Sequence, residues 1–213
     1  RRSGRAPVEY RPPVTGTRPS ESPASQQRRR TIIDAAIELL RDRDLDKISV
    51  ADIADAAGVA VATVYNLIGP RERVLSAVLD LYVEQLTDAL AAQRQDIGPS
   101  QYVSAADAVV HVIESANNHI LSDPVPVRAV LRELGALQFA DNRGLGLAEL
   151  LLPRARRLTD SDHEADLLVS LIVYGFRGVL MSWAHDLIGD DTFARDSKRL
   201  VRVLVTAPAA TAI

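Results

Sequence analysis

The chain predicts an all-α protein, a three-helix head followed by a longer helical bundle. Three observations carry that prediction. Apolar residues recur at 3.6-residue spacing along most of the chain, while strand-type alternation is hard to find. Alanine and leucine are abundant, and the 213 residues are 47% hydrophobic but only 4% aromatic, ample for a helical core. Turn-forming residues fall between the periodic segments, at Gly58, Gly98-Pro99, Asp123-Pro124 and Asn142-Arg143-Gly144.

Residues 1–25 hold most of the local Pro, Ser and Thr and show no apolar period, so a disordered, basic N-terminal extension is expected there. Helix one is expected over 27–41, with Ile33, Ala36, Ile37 and Leu40 on its buried face. Arg28, Arg29 and Arg30 open it. Cations sit badly at a helix N-terminus, so their placement there points to an anionic partner. A loop with Asp44, Asp46 and Lys47 follows.

Ser49 and Asp52 then have the spacing of a capping box, and Ile53, Ala54 and Ala57 share the face of a short second helix. Gly58 can take the left-handed conformation that stops it. Val59 and Ala60 complete a turn into a third helix over 61–68. Ala54, Gly58 and Val64 suit a tight helix pair: a small residue at the crossing, a glycine at the turn, a branched side chain in the gap. A fourth helix over 70–95 keeps Val74, Val78, Leu81, Leu86 and Leu90 in one stripe. The body reads as helices over 100–121, 125–140, 145–158, 161–188 and 192–205. The 161–188 helix is apolar nearly all round between Leu167 and Trp183, so it needs cover on more than one side. Gly175 and Gly178 would let a neighbour approach closely.

The run Ile53, Ala54, Ala57, Gly58, Val59, then Thr63 and Tyr65, then Gly69, Pro70, Arg71, Glu72 and Leu75 resembles the DNA-binding domain of the tetracycline-repressor (TetR) family of bacterial regulators. The close resemblance covers residues 27–86; residues 87–213 match in length and helical pattern. Leu67 and Ile68 replace the family's usual His-Phe, Arg71 its lysine, Pro70 the serine before it, and Ala60 the serine that opens the recognition helix. The resemblance implies a helix-turn-helix head over 27–86 and an effector-binding, dimerising body over 87–213. It implies a homodimer through residues 161–205, and a ligand that releases the protein from a near-palindromic double-stranded DNA operator. Thr63, Tyr65 and Arg71 are implied phosphate contacts.

A net charge of −3 looks wrong for a DNA binder, but its distribution is uneven. Residues 1–30 carry eight arginines against two glutamates, and the acidic excess lies beyond them. Local patches govern phosphate binding. The DNA-facing residues are therefore expected to be Arg28, Arg29, Arg30, Ser49, Ala60, Val61, Ala62, Thr63, Tyr65, Asn66 and Arg71. The third helix has no Lys or Arg. Asn66 can pair with adenine, and Val61 and Ala62 can meet thymine methyls, so modest direct readout with some dependence on DNA shape is expected. For the small-molecule effector, the polar candidates in an otherwise aliphatic body are His111, Asn117, His119, Arg132, Gln138, Tyr174, Arg177 and Trp183.

Enzyme chemistry finds little support. There is no cysteine, which excludes a disulfide frame, a thiolate zinc site and a cysteine nucleophile. None of the four histidines, His111, His119, His163 and His185, follows a glutamate by three, as paired carboxylate-bundle metal sites require. No glycine-rich phosphate loop or Gly-x-Ser-x-Gly elbow is present, and no cofactor is implied. The uncharged run Leu167–Phe176 spans 10 residues against the ~20 needed to cross a bilayer. With no signal-peptide pattern, a cytoplasmic protein without a membrane partner is expected. The alternative reading is a helical protein-binding adaptor without DNA affinity.

Overall fold

The computed structural model describes residues 22–96, 104–141 and 147–206, and within them the side chains outside 91–96 and 135–141. The described residues form nine α-helices and one 3-10 turn, without strands. The basic extension lies outside the described residues up to position 21.

The head comprises α1 (Pro23–Asp42), the 3-10 turn (Leu45–Lys47), α2 (Val50–Ala56), α3 (Val61–Leu67) and the start of α4 (Arg71–Asp96). Helix α1 begins four residues before the expected position. The Ser22 hydroxyl accepts from the Ser25 amide at 3.2 Å, and Pro23 fits the first helical turn, where no amide donor is needed. Its local Pro and Ser content disguised a cap as part of the tail. Ile32, Leu40, Ile53, Ala54, Val64, Val74 and Val78 meet in the head's core, all nearly or wholly buried. Each buried large aliphatic side chain stabilises by about 1.5–3 kcal/mol, so this small head folds around few residues.

The body comprises α5 (Ala105–Ser122), α6 (Pro124–Asp141), α7 (Leu147–Ala155), α8 (Asp162–Ala184) and α9 (Asp190–Thr206). Helix α8 packs against α6, α7 and α9, and α5 packs against α7 and α9. A Cβ at Gly175 would stand 2.5 Å from Leu200 Cδ2, so this glycine lets α8 and α9 approach within one chain. Gly178 faces open space in the single chain, on the outer side of α8.

Helix α8 is 23 residues long, and by length and composition it could cross a bilayer, which the shorter uncharged run did not suggest. Here its inner face is buried against the bundle, from Ala165 and Val169 through Phe176 to Trp183. It stops at Ala184 rather than 188 because Asp186 adopts φ 58°. The amides of Asp186 and Leu187 then bond the carbonyls of Trp183 and Ser182 at 3.1 and 2.9 Å.

Helix α6 is the strut between head and body. At its start, Asp123 accepts from Arg41 of α1 (Nη2 to Oδ2, 2.7 Å) and from the Tyr82 hydroxyl of α4 at 2.6 Å. Partial burial pushes the Asp123 carboxyl upward, but the bonds from Arg41 and Tyr82 outweigh it and hold the group below its ordinary range. Further along, Glu133 accepts from Arg71 at 2.7 Å. Between them, Arg128 donates to Asp186 and Asp190, both at 2.7 Å, and lies 4.3 Å above the Trp183 ring.

Candidate functional site

The geometry of α2 and α3 follows from the residues between them. Ser49 caps α2: its hydroxyl accepts from the Asp52 amide at 3.2 Å, and the Asp52 carboxylate accepts from the Ser49 amide at 2.8 Å. The Ser49 hydroxyl, and then its amide, donate to the Asp52 carboxylate and hold that group below its usual range. Gly58 sits at φ 64°, its amide bonding Asp55 O at 3.1 Å while Val59 N bonds Ala54 O at 3.0 Å. This pair of bonds is the Schellman stop, and it turns the chain through 101° from α2 into α3. Gly69, at φ 128°, makes the second turn.

Helix α3 is anchored by Val64, which is wholly buried. Ala60, Val61, Ala62, Tyr65 and Asn66 are exposed around it, and Thr63 is half-buried. Tyr65 is 51% exposed and Val61 40%, which makes them large apolar surfaces on so short a helix. Ala60 begins α3 without a side-chain cap, so the amides of its first turn have no side-chain partner. Such a terminus favours an anion.

The arginines separate into different tasks. Arg28 is exposed and makes no hydrogen bond or ion pair among the described residues. Arg29 instead donates to Leu67 O at 3.3 Å, serving the C-terminal end of α3, where a cation complements the helix dipole. Arg30 pairs with Asp34 on the same helix face at 3.0 Å. Arg71 departs most from the sequence expectation. Its Nε donates to Ile48 O at 2.9 Å, Nη2 to Leu45 O at 2.7 Å and Nη1 to Glu133, and its side chain is only 21% exposed. It ties the 45–48 segment to α6 and is not presented beside α3. The Ser49 hydroxyl is likewise engaged in its cap.

Residues 32–67 match the family described as bacterial regulatory proteins, tetR family. This segment, from α1 through α3, is where the likeness to the tetR family lies. It is 32% identical over 79 residues to the HTH-type transcriptional regulator BetI of Rhizobium meliloti (strain 1021), a match covering 37% of this chain and 39% of that one. The matched stretch thus spans about two fifths of that curated relative. Among solved structures, a TetR transcriptional regulator from Rhodococcus sp. RHA1 superposes with a TM-score of 0.64 at 20% identity, covering 85% of this chain and 97% of that one. Thermus thermophilus FadR, a TetR family transcriptional repressor in complex with lauroyl-CoA, gives 0.60 at 20% identity, covering 87% and 97%. At these identities the two structures establish a shared fold.

Between α4, α5, α6, α7 and α8 lies a small apolar cavity of about 40 Å³. Two larger clefts, of about 760 and 780 Å³, open to solvent and are lined with charged residues. The small one is walled almost wholly by apolar side chains. Leu79, Leu86, Val127, Leu131, Phe176 and Leu180 supply most of its wall, with Tyr82 and His119 as its polar members.

Of the eight effector candidates, the structure brings His119 to this cavity. Arg132 is engaged with Ala184 O and Asp186, because α6 must be fastened to the end of α8. Trp183 is wholly buried, stacked on Phe193 at 5.2 Å, with its indole donating to Asp190 at 2.7 Å. Asn117 is buried between α5 and α9, donating to Ser197 at 2.8 Å. Tyr174 points outward, 66% exposed. His111 lines the 780 Å³ surface cleft, 3.4 Å from Ser115 Oγ. Arg177 is half-buried on α8 and does not line the cavity. The Gln138 side chain lies outside the described residues. Sequence reasoning missed Tyr82, whose place on the α4 stripe, eight residues after Val74, was the available signal.

Proposed function

We propose that this protein is a homodimeric, ligand-responsive transcriptional repressor acting in the cytoplasm, and that α3 reads its operator. The observation that carries this reading is the outward face of α3, with Ala60, Val61, Ala62, Tyr65 and Asn66 exposed around one buried anchor. In a duplex groove, Asn66 pairs with adenine, the small apolar side chains meet thymine methyls, and Thr63 and Tyr65 hold phosphates. Arg28, exposed in the second turn of α1, adds a backbone contact.

Leu167, Leu171 and Tyr174 support dimerisation. They are exposed at 53%, 46% and 66%, and their spacing of four and three residues puts them on one stripe of α8. Val203 on α9 is also exposed. A twin subunit covering that stripe pairs two heads, which then address half-sites about 34–36 Å apart. Helix α4, with 26 residues, is about 39 Å long and joins the head to the cavity wall. An effector that widens the cavity displaces α6; Glu133 on it and Asp123 just before it hold Arg71 and Arg41 of the DNA-binding half. The effector releases DNA by as much as it prefers the displaced state, typically ~1–3 kcal/mol.

A gel shift with the DNA upstream of the protein's own gene tests this reading. Retardation that weakens steeply as salt rises is expected, because phosphate contacts release counterions. Equal, salt-insensitive behaviour on operator and unrelated DNA would sink the proposal in favour of a protein-binding bundle.

A further inference from the structure

We infer that the small apolar cavity takes an uncharged hydrocarbon bearing one hydroxyl, an alcohol or a phenol, with that hydroxyl seated on Nε2 of His119. The inference deepens the reading of the body as the effector-binding half and rests on it.

The cavity wall contains no Lys, Arg, Asp or Glu. A charged ligand there leaves its charge unpaired in an apolar space, which is far more costly than leaving it in water. Polar complementarity is confined to two side chains, and one is committed. The Tyr82 hydroxyl donates to Asp123 at 2.6 Å, and burial together with that bond raises its pKa, so it stays a neutral donor. The other is His119, whose Nε2 is buried and has no hydrogen-bond partner. Unpartnered buried ring nitrogens are rare because they forfeit a solvating bond without replacement. The ring is held in place, edge-on to Tyr82 with centroids 5.9 Å apart, so Nε2 is a fixed point in the wall.

One free polar atom selects one polar group on the ligand. A hydroxyl satisfies Nε2 in either tautomer, because it both donates and accepts. His119 and Leu86 also line the 780 Å³ surface cleft between α5 and α9, so the hydroxyl end lies nearest solvent and the hydrocarbon points toward Phe176 and Leu180. The cavity's 40 Å³ holds no more than a few waters. The hydrocarbon therefore enters by parting the wall, and Val127 and Leu131 on α6 are the part of it that reaches the head.

The test uses the full chain and three probes of similar shape: p-cresol, p-xylene and p-toluate. Thermal midpoints are followed by far-UV circular dichroism, first for the natural protein and then for His119→Phe, which keeps a ring beside Tyr82. The expected result is stabilisation by p-cresol at about tenfold lower concentration than by p-xylene, with none from p-toluate. In His119→Phe the two neutral probes become equivalent. His119→Leu serves the same purpose if the phenylalanine variant does not fold. Equal response of the natural protein to p-cresol and p-xylene, a preference surviving in the variant, or no response to any probe overturns the inference. The gel shift is scored separately: lost DNA binding with intact p-cresol preference defeats the regulator reading and leaves the hydroxyl site standing.

Discussion

Helices α3 and α8 both present apolar side chains to solvent, yet they are held in opposite ways. Helix α3 has seven residues and one buried side chain, Val64; α8 has 23 residues and eight buried ones. A helix as short as α3 does not form alone in water. Its shape is lent by neighbours: α2 behind it, glycine turns at both ends, and Arg29 on its last carbonyl. Helix α8 supplies its own stability by burial. The two exposed faces differ accordingly. Val61 and Tyr65 stand among Ala, Thr and Asn, a mixed surface fit for a wet groove. Leu167, Leu171 and Tyr174 form an unbroken stripe, fit for a dry contact with a second copy.

The largest effect is expected at α8. Leu171→Glu with Tyr174→Glu places two charges in the proposed dimer face. Sedimentation should show a monomer with unchanged helicity, and operator affinity should fall about 100-fold or more as the second half-site is lost. A dimer that persists would assign the stripe another partner. At α3, Val64→Ala removes the single anchor and should cost about 2 kcal/mol in denaturant unfolding. A loss well below that would mean that α2 and the turns position α3 without it.

A glycine pair sharpens the contrast. Gly58→Ala forces a side chain into a left-handed conformation and should cost about 1–2 kcal/mol. Gly178→Ala, made in the Leu171→Glu, Tyr174→Glu background where no second copy covers α8, lies in open space within regular helix and should stabilise by up to about 1 kcal/mol. The same substitution thus changes sign between the two regions, and melting midpoints will read it directly.

The smallest effect concerns pH. The Asp123 carboxyl is held below the ordinary carboxylate value of 3.8, so it binds protons less readily in the folded chain than in the unfolded one. Its contribution is complete at neutral pH and is lost as pH falls below that value through the folded pKa. Asp123→Asn should flatten the acid limb of the stability curve. An unchanged limb would assign the acid sensitivity elsewhere.

The elements were legible where the chain signals itself. The Ser49–Asp52 box, the Gly58 stop and the apolar spacing around Val64 are local features, and each helix appears where periodicity and caps predicted it, within a few residues. The cavity was not legible in the same way. Its wall is assembled from ordinary aliphatic residues of five helices, and nothing local marks Leu79 or Leu180 as facing a space rather than a neighbour. Polar side chains were the natural candidates. Arg132 and Trp183, however, went to fastening α6 onto α8, because a buried donor must be satisfied wherever the fold puts it. Arg71 shows the same limit: its sequence position fits a phosphate contact, but the fold brings it two carbonyls and Glu133. That rivalry for one guanidinium is visible only in three dimensions.

The chain's single tryptophan lies beneath Arg128, and that arginine rides on α6. Lifting the strut strips a cation from the indole face and breaks the Asp190 bridge they share. Emission from this one fluorophore is therefore expected to change colour or intensity as α6 departs, a label-free optical gauge of the proposed switching.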